Sequence, residues 1–225
     1  VLKPALAIAR KDLKLVFAAG QGLVQALLLG LLLVFLFSLS RAPGEATPPQ
    51  AAATIFWLAT AFSLILVCNT LYGFEDEAGA RHGLLLSPAP AQAVWCGKAL
   101  ACLLLLLLLQ AVFAPAVFIF LGQGIGEGAS AGLGGVLAVD WGLAVLGALL
   151  GALAYGQAAK ESLLSVILFP LLVPALLAGV KTLAYALGAQ DVDGPANWLM
   201  LALAFDALFT AGALVLYPFV FSGEE

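Results

Sequence analysis

Charged side chains gather at a few places in this chain. The first is an N-terminal segment, Leu2 to Val16, reading LKPALAIARKDLKLV. Arg10, Lys11, Asp12 and Lys14 sit there among Leu6, Ile8, Leu13, Leu15 and Val16. Apolar area interleaved with long basic side chains suits a helix lying in a membrane interface, its cationic ends among the headgroups. The same residues equally suit a plain positive flank to the first span, or an elbow helix leading into it. The second place is Glu75-Asp76-Glu77, followed by Arg81, His82, Leu84, Leu85 and Pro88. Acids of this density steer the encounter with a partner protein, and leucines that stop at a proline supply an apolar knob for it to grip. A solvated loop is the plainer alternative. The third is a set of isolated ionisable residues, Asp140, Lys181 and Asp206, each inside an apolar run. Ionisable groups at membrane depth mark a pathway or a buried pair. An Asp206–Lys181 pair, an Asp140–Lys181 pair and a solitary protonated aspartate are all compatible with the sequence.

Backbone chemistry adds one more feature. Pro170 and Pro174 lie four residues apart, on one helix face, and each removes a hydrogen-bond donor. A kinked or broken helix is expected there, acting either as a hinge or as a static packing device.

Several chemistries are missing. No G-x-x-x-x-G-K-[ST] loop is present, so the chain does not bind nucleotide through that motif. His82 is the single histidine and lies in a connector, which leaves the spans without a histidine pair for metal or haem. Cys68, Cys96 and Cys102 form neither C-x-x-C nor C-x-x-C-H and read as small packed hydrophobes. No nucleophile, base and orienting group can be assembled. No catalytic residue, metal site or directly bound cofactor is expected.

These residues must be positioned by elements made for lipid. Apolar residues are 64 % and charged residues 10 % of the chain, and the mean hydropathy is +1.12. Soluble domains carry roughly a quarter charged residues, so the bilayer has to be the main solvent. No basic surface suited to nucleic acid is present. Stretches long enough for a hydrocarbon core fall at 19–40, 51–73, 94–121, 129–156, 162–187 and 196–221. They lack the alternation of barrel strands, so all six read as helices of one domain spanning 1–225. The first run is too long for the core of a cleaved signal peptide. Pro- and Gly-rich connectors join the spans; the segment 74–92 reads as a short surface helix. Gly147 and Gly151 in the fourth span permit close helix approach, within the chain or between copies. Lys3, Arg10, Lys11, Lys14, Arg81, Lys98 and Lys160 fall on one side and Arg41 and Lys181 on the other. That bias places both termini in the cytoplasm.

Three segments carry a resemblance to a known family: IARKDLKLVF at 8–17, FEDEAGARHGLLLSPAPAQAVWCGKAL at 74–100 and ESLLSVILFPLLVPALLAGV at 161–180. With Leu164, Ser165, Phe169-Pro170 and Val173-Pro174, the last is the most specific. The chain resembles the CcmB, or haem exporter protein B, family of cytochrome c maturation over nearly its whole length. The resemblance implies an all-α, type-2 ABC exporter-like permease in a bacterial cytoplasmic membrane, paired with a second copy of itself. It implies a separate CcmA-like ATPase carrying ATP and magnesium, and a CcmC-like haem-handling membrane protein. A small CcmD-like single-span subunit and a CcmE-like periplasmic haem chaperone complete the set. On that pattern residues 2–17 form the elbow helix, and Glu75 to Pro88 the element seated in the ATPase. Asp206 departs from a span that is usually apolar in the family, so no role passes to it. Closure of the ATPase would push the 74–92 segment, with Pro170 and Pro174 as a flex point. The motion would export haem or release the loaded chaperone. A permease for a lipid, glycan or drug, and an assembly scaffold without a transport cycle, are the other classes this sequence accommodates.

Overall fold

The computed structural model describes residues 1–42, 45, 47–77, 83, 86–126, 128–154, 160–189 and 194–222; the side chains at 76, 77, 160–165 and 222 lie outside that description. Its regular elements are α1 (Leu2–Ala19), α2 (Gln21–Leu39), α3 (Pro49–Glu77), α4 (Ala91–Phe120), α5 (Ala129–Leu153), α6 (Lys160–Ala186) and α7 (Pro195–Ser222). The six helices α2 to α7 are each long and apolar enough to cross a membrane, as the hydropathy reading expects.

Among these helices α1 is the amphipathic one. Its buried residues, Ala5, Ile8, Ala9, Asp12 and Val16, recur at three- and four-residue intervals and make one stripe. That stripe lies on the first turns of α4, where Gly97 admits it: a Cβ at that position would lie 2.7 Å from the Ala5 carbonyl oxygen. Gly20 then separates α1 from α2 by adopting φ +66°, a conformation that glycine reaches without a Cβ clash.

α3 and α5 occupy the middle of the bundle, while few residues of α2 and α7 are buried within the chain. Small residues on α5 let its neighbours close in. Cys68 and Leu64 of α3 pack on Gly147, and the Tyr72 ring packs on Gly151. The Gly147/Gly151 pair is therefore occupied from within the chain.

Two expectations change. α3 continues helically through residue 77, so the acidic run expected to open a loop is itself helical. α6 is one uninterrupted helix through Pro170 and Pro174, so the break expected there is not found. Both prolines lie on its exposed side.

Candidate functional site

At one end of the bundle α1, the end of α3 and the start of α4 converge on four charged side chains. Lys98 of α4 is 1 % exposed, Asp12 of α1 2 % and Glu75 of α3 5 %. The Lys98 ammonium stands 2.9 Å from Glu75 Oε1 and 3.3 Å from Asp12 Oδ2. Lys11, at the rim and 39 % exposed, closes the ring, 3.0 Å from the same Glu75 oxygen and 2.9 Å from Asp12 Oδ1. Two cations and two carboxylates make the quartet neutral, the condition under which charge is tolerated out of water. Lys11 loses solvation by burial, which lowers its pKa, but Asp12 and Glu75 outweigh this and hold it above the ordinary 10.5.

Tyr72 extends the quartet into the bundle. It precedes Glu75 by three residues and so shares its helix face. The Lys98 ammonium sits 4.6 Å from the centre of its ring, and its hydroxyl donates to the Ala148 carbonyl of α5 at 2.5 Å. Four elements are thereby tied at one point.

The residues singled out in the sequence scatter relative to this point. Glu75, expected on a docking surface, is turned inward, because the extra turn of α3 aims it at Lys98. Asp76 and Glu77 belong to the same helical turn, and their side chains lie outside the described residues, as do Arg81, His82, Leu84 and Leu85 entirely. Pro88 is exposed two residues before the extended Pro90 that precedes α4. On α1, Arg10 and Lys14 are exposed, while Lys11 and Asp12 serve the quartet. Asp140 is fully buried and takes a hydrogen bond from Gln110, not from a lysine. Lys181 lies over the Trp198 ring at 5.9 Å; among the described residues it forms no ion pair with Asp140 or Asp206. Asp206 is 8 % exposed and rests on α5 at Gly142.

Lys98, Tyr72, Gln110 and Thr60 were not singled out as site residues. Gln110 carried a readable signal, since it is the single polar residue in the run from Leu103 to Phe120. At the other end of the bundle, Arg41 and Ser38 both donate to the Phe120 carbonyl, at 2.6 and 2.8 Å, and cap the last turn of α4.

Six apolar helices and an amphipathic N-terminal helix define a multi-pass membrane protein. The chain belongs to the CcmB protein family, whose sequence model matches residues 3–223. It is similar to the Heme exporter protein B of Paracoccus denitrificans, with 31 % identity over 209 residues, 93 % of this chain and 92 % of that protein. It is also similar to the Heme exporter protein B of Rhodobacter capsulatus, 27 % identical over 223 residues, covering 95 % of this chain and 94 % of that one.

Proposed function

We propose that the chain is the permease subunit of an ATP-driven haem exporter in cytochrome c maturation. It works as one of two copies with a separate ATPase, in a bacterial cytoplasmic membrane and with both termini inside. Family membership along almost the whole chain supports the haem assignment. The observation that carries the coupling is the buried quartet. Its members root both ends of the segment 78–90, Glu75 before it and Lys98 after it, and bind α1 to them. A push on that segment would reach three helices through buried ion pairs instead of dissipating in a surface loop. The residues assigned to the ATPase contact are accordingly Asp76, Glu77, Arg81, His82, Leu84, Leu85 and Pro88, with Glu75 holding their base.

The second copy has a physical rationale in α6. Pro170 and Pro174 lack the N–H groups that would bond the carbonyls of Val166 and Pro170, and these positions lie on an exposed stripe with Val173 and Leu177. An unbonded carbonyl in lipid costs several kcal/mol. Cover by a second copy, or by a water-lined path between copies, removes that cost. The spans hold no histidine to ligate haem iron. This favours motion that remodels a haem-handling partner and releases the loaded chaperone over passage of haem through this subunit.

Purification of the tagged chain from its own membranes tests the reading. An ATPase and a haem-binding membrane protein should accompany it, and Asp76→Lys with Glu77→Lys should detach the ATPase and stop cytochrome c maturation. Maturation that survives the double charge reversal points to a scaffold instead. ATPase activity stimulated by a lipid or glycan, and indifferent to haem, points to another cargo.

A further inference from the structure

The interior of the bundle holds a polar knot apart from the quartet. Asp140 on α5 and Thr60 on α3 are fully buried, and Gln110 on α4 is 4 % exposed. Gln110 Nε2 donates to Asp140 Oδ1 at 2.7 Å and to Thr60 Oγ1 at 3.3 Å. The Thr60 hydroxyl in turn donates to the Phe56 carbonyl at 3.0 Å. Both amide hydrogens and the hydroxyl hydrogen are thus committed. Two buried oxygens are left without a donor, Asp140 Oδ2 and Gln110 Oε1. A carboxylate and a carboxamide joined by one hydrogen bond therefore each keep an acceptor oxygen to which nothing in the knot donates. Each such buried orphan costs about 1–3 kcal/mol, more when charged.

Among the described residues no lysine or arginine forms an ion pair with Asp140. The helices packed on α5 are α3, α4, α6 and α7. The titratable groups they bring against its glycines are Cys68 and Tyr72, Cys102, Tyr185 and Asp206, with the buried Tyr217 of α7 near Tyr72, none of them basic. Lys98 is engaged by Asp12 and Glu75, and Lys181 lies over Trp198. Asp206 touches α5 at Gly142. Two residues on from Asp140 is about 200° around the helix, so Asp206 lies on the far side of α5 from the knot.

We infer that Asp140 binds a proton and donates it from Oδ2 to Gln110 Oε1, so that α4 and α5 are joined inside the membrane by a neutral acid–amide pair. One proton satisfies both orphaned oxygens: the acid hydroxyl donates to the amide carbonyl, and the amide N–H donates to the acid carbonyl. The knot is a proton-binding site whose occupancy is linked to the α4–α5 contact. Loss of the proton leaves an unpaired charge and two unsatisfied oxygens, and re-solvation requires the two helices to part or water to enter.

Asparagine at 140 copies the protonated acid group by group, its NH₂ donating to Gln110 and its carbonyl accepting. In lipid nanodiscs at neutral pH, Asp140→Asn should melt at the wild-type temperature, whereas Asp140→Val and Gln110→Leu should melt lower. The infrared difference between wild type and Asp140→Asn should contain the carbonyl stretch of a protonated carboxylic acid, moving on exchange into D₂O and displaced in Gln110→Leu. An ionised-carboxylate band in that difference spectrum would overturn the inference. So would an Asp140→Asn protein that fails to fold. A small-cation site would show itself by sodium or potassium raising the melting temperature of wild type but not of Asp140→Asn, and that result also overturns it.

Discussion

Lys98 is the side chain on which most of the polar architecture turns. It is 1 % exposed and serves Asp12 and Glu75 together. Lys98→Met should therefore leave two buried carboxylates sharing Lys11, and cost about 3–5 kcal/mol. Adding Asp12→Asn and Glu75→Gln should return part of that loss, because no charge is then stranded. Thermal melts of the detergent-solubilised protein measure both. Lys11 supplies the pH dependence. Its pKa is raised on folding, so its contribution is complete below the ordinary lysine value of 10.5 and is lost as pH rises through the higher folded value. Release of α1, followed by limited proteolysis, should thus appear only above about pH 10.4, and Lys11→Met should remove that alkaline step. The sequence displays all four members of the quartet but not their meeting. Whether Glu75 faces water or Lys98 depends on one extra helical turn after residue 73. A run of three acids reads as surface whenever the helix is thought to have ended. Asp140 and Gln110 pose the same difficulty, since a pair between helices leaves no trace in the spacing along either one.

Elements were far easier to read than contacts. Lipid cannot bond the backbone, so runs such as Leu103 to Leu109 leave no alternative to a helix. The amphipathic stripe of α1 is equally plain in its three- and four-residue spacing. α6 shows where element-level rules stop short. Two prolines predicted a kink or a break; the helix runs on through both, with both on its exposed face while the opposite face, with Leu168, Leu172, Ala175 and Ala178, stays packed. Pro170→Ala with Pro174→Ala should restore two backbone hydrogen bonds and raise stability, by up to several kcal/mol each where the freed carbonyls face lipid. With flexing of α6 part of the cycle, the same protein should support less cytochrome c maturation than wild type. A double variant both more stable and fully active would show the prolines to be packing features alone.

For the whole molecule, the distribution of basic residues along the chain predicts its placement in the membrane. Seven lysines and arginines against two on the other side should hold both termini in the cytoplasm. Reporter fusions at residue 1, within 78–82, within 122–126 and after residue 225 should report inside, inside, outside and inside. An outside reading at either terminus would invert the proposed ATPase contact. The fold also separates what stays fixed from what adapts: α3 and α5 are held on most sides within the chain, whereas α2 and α7 leave most of their surface to lipid or to other proteins.

The point where α1, α3 and α4 meet also bears on how the protein is made. Asp12 and Glu75 leave the ribosome before Lys98, separated from it by 86 and 23 residues. Until α4 enters the bilayer, Lys98 is not there to answer either acid, and the Phe120 carbonyl that Arg41 and Ser38 will cap does not yet exist. Insertion of α4 completes both ends of the molecule at once. A nascent chain stalled after α3 is therefore an incomplete object with stranded charge, open to quality control, and one that has passed α4 is already latched.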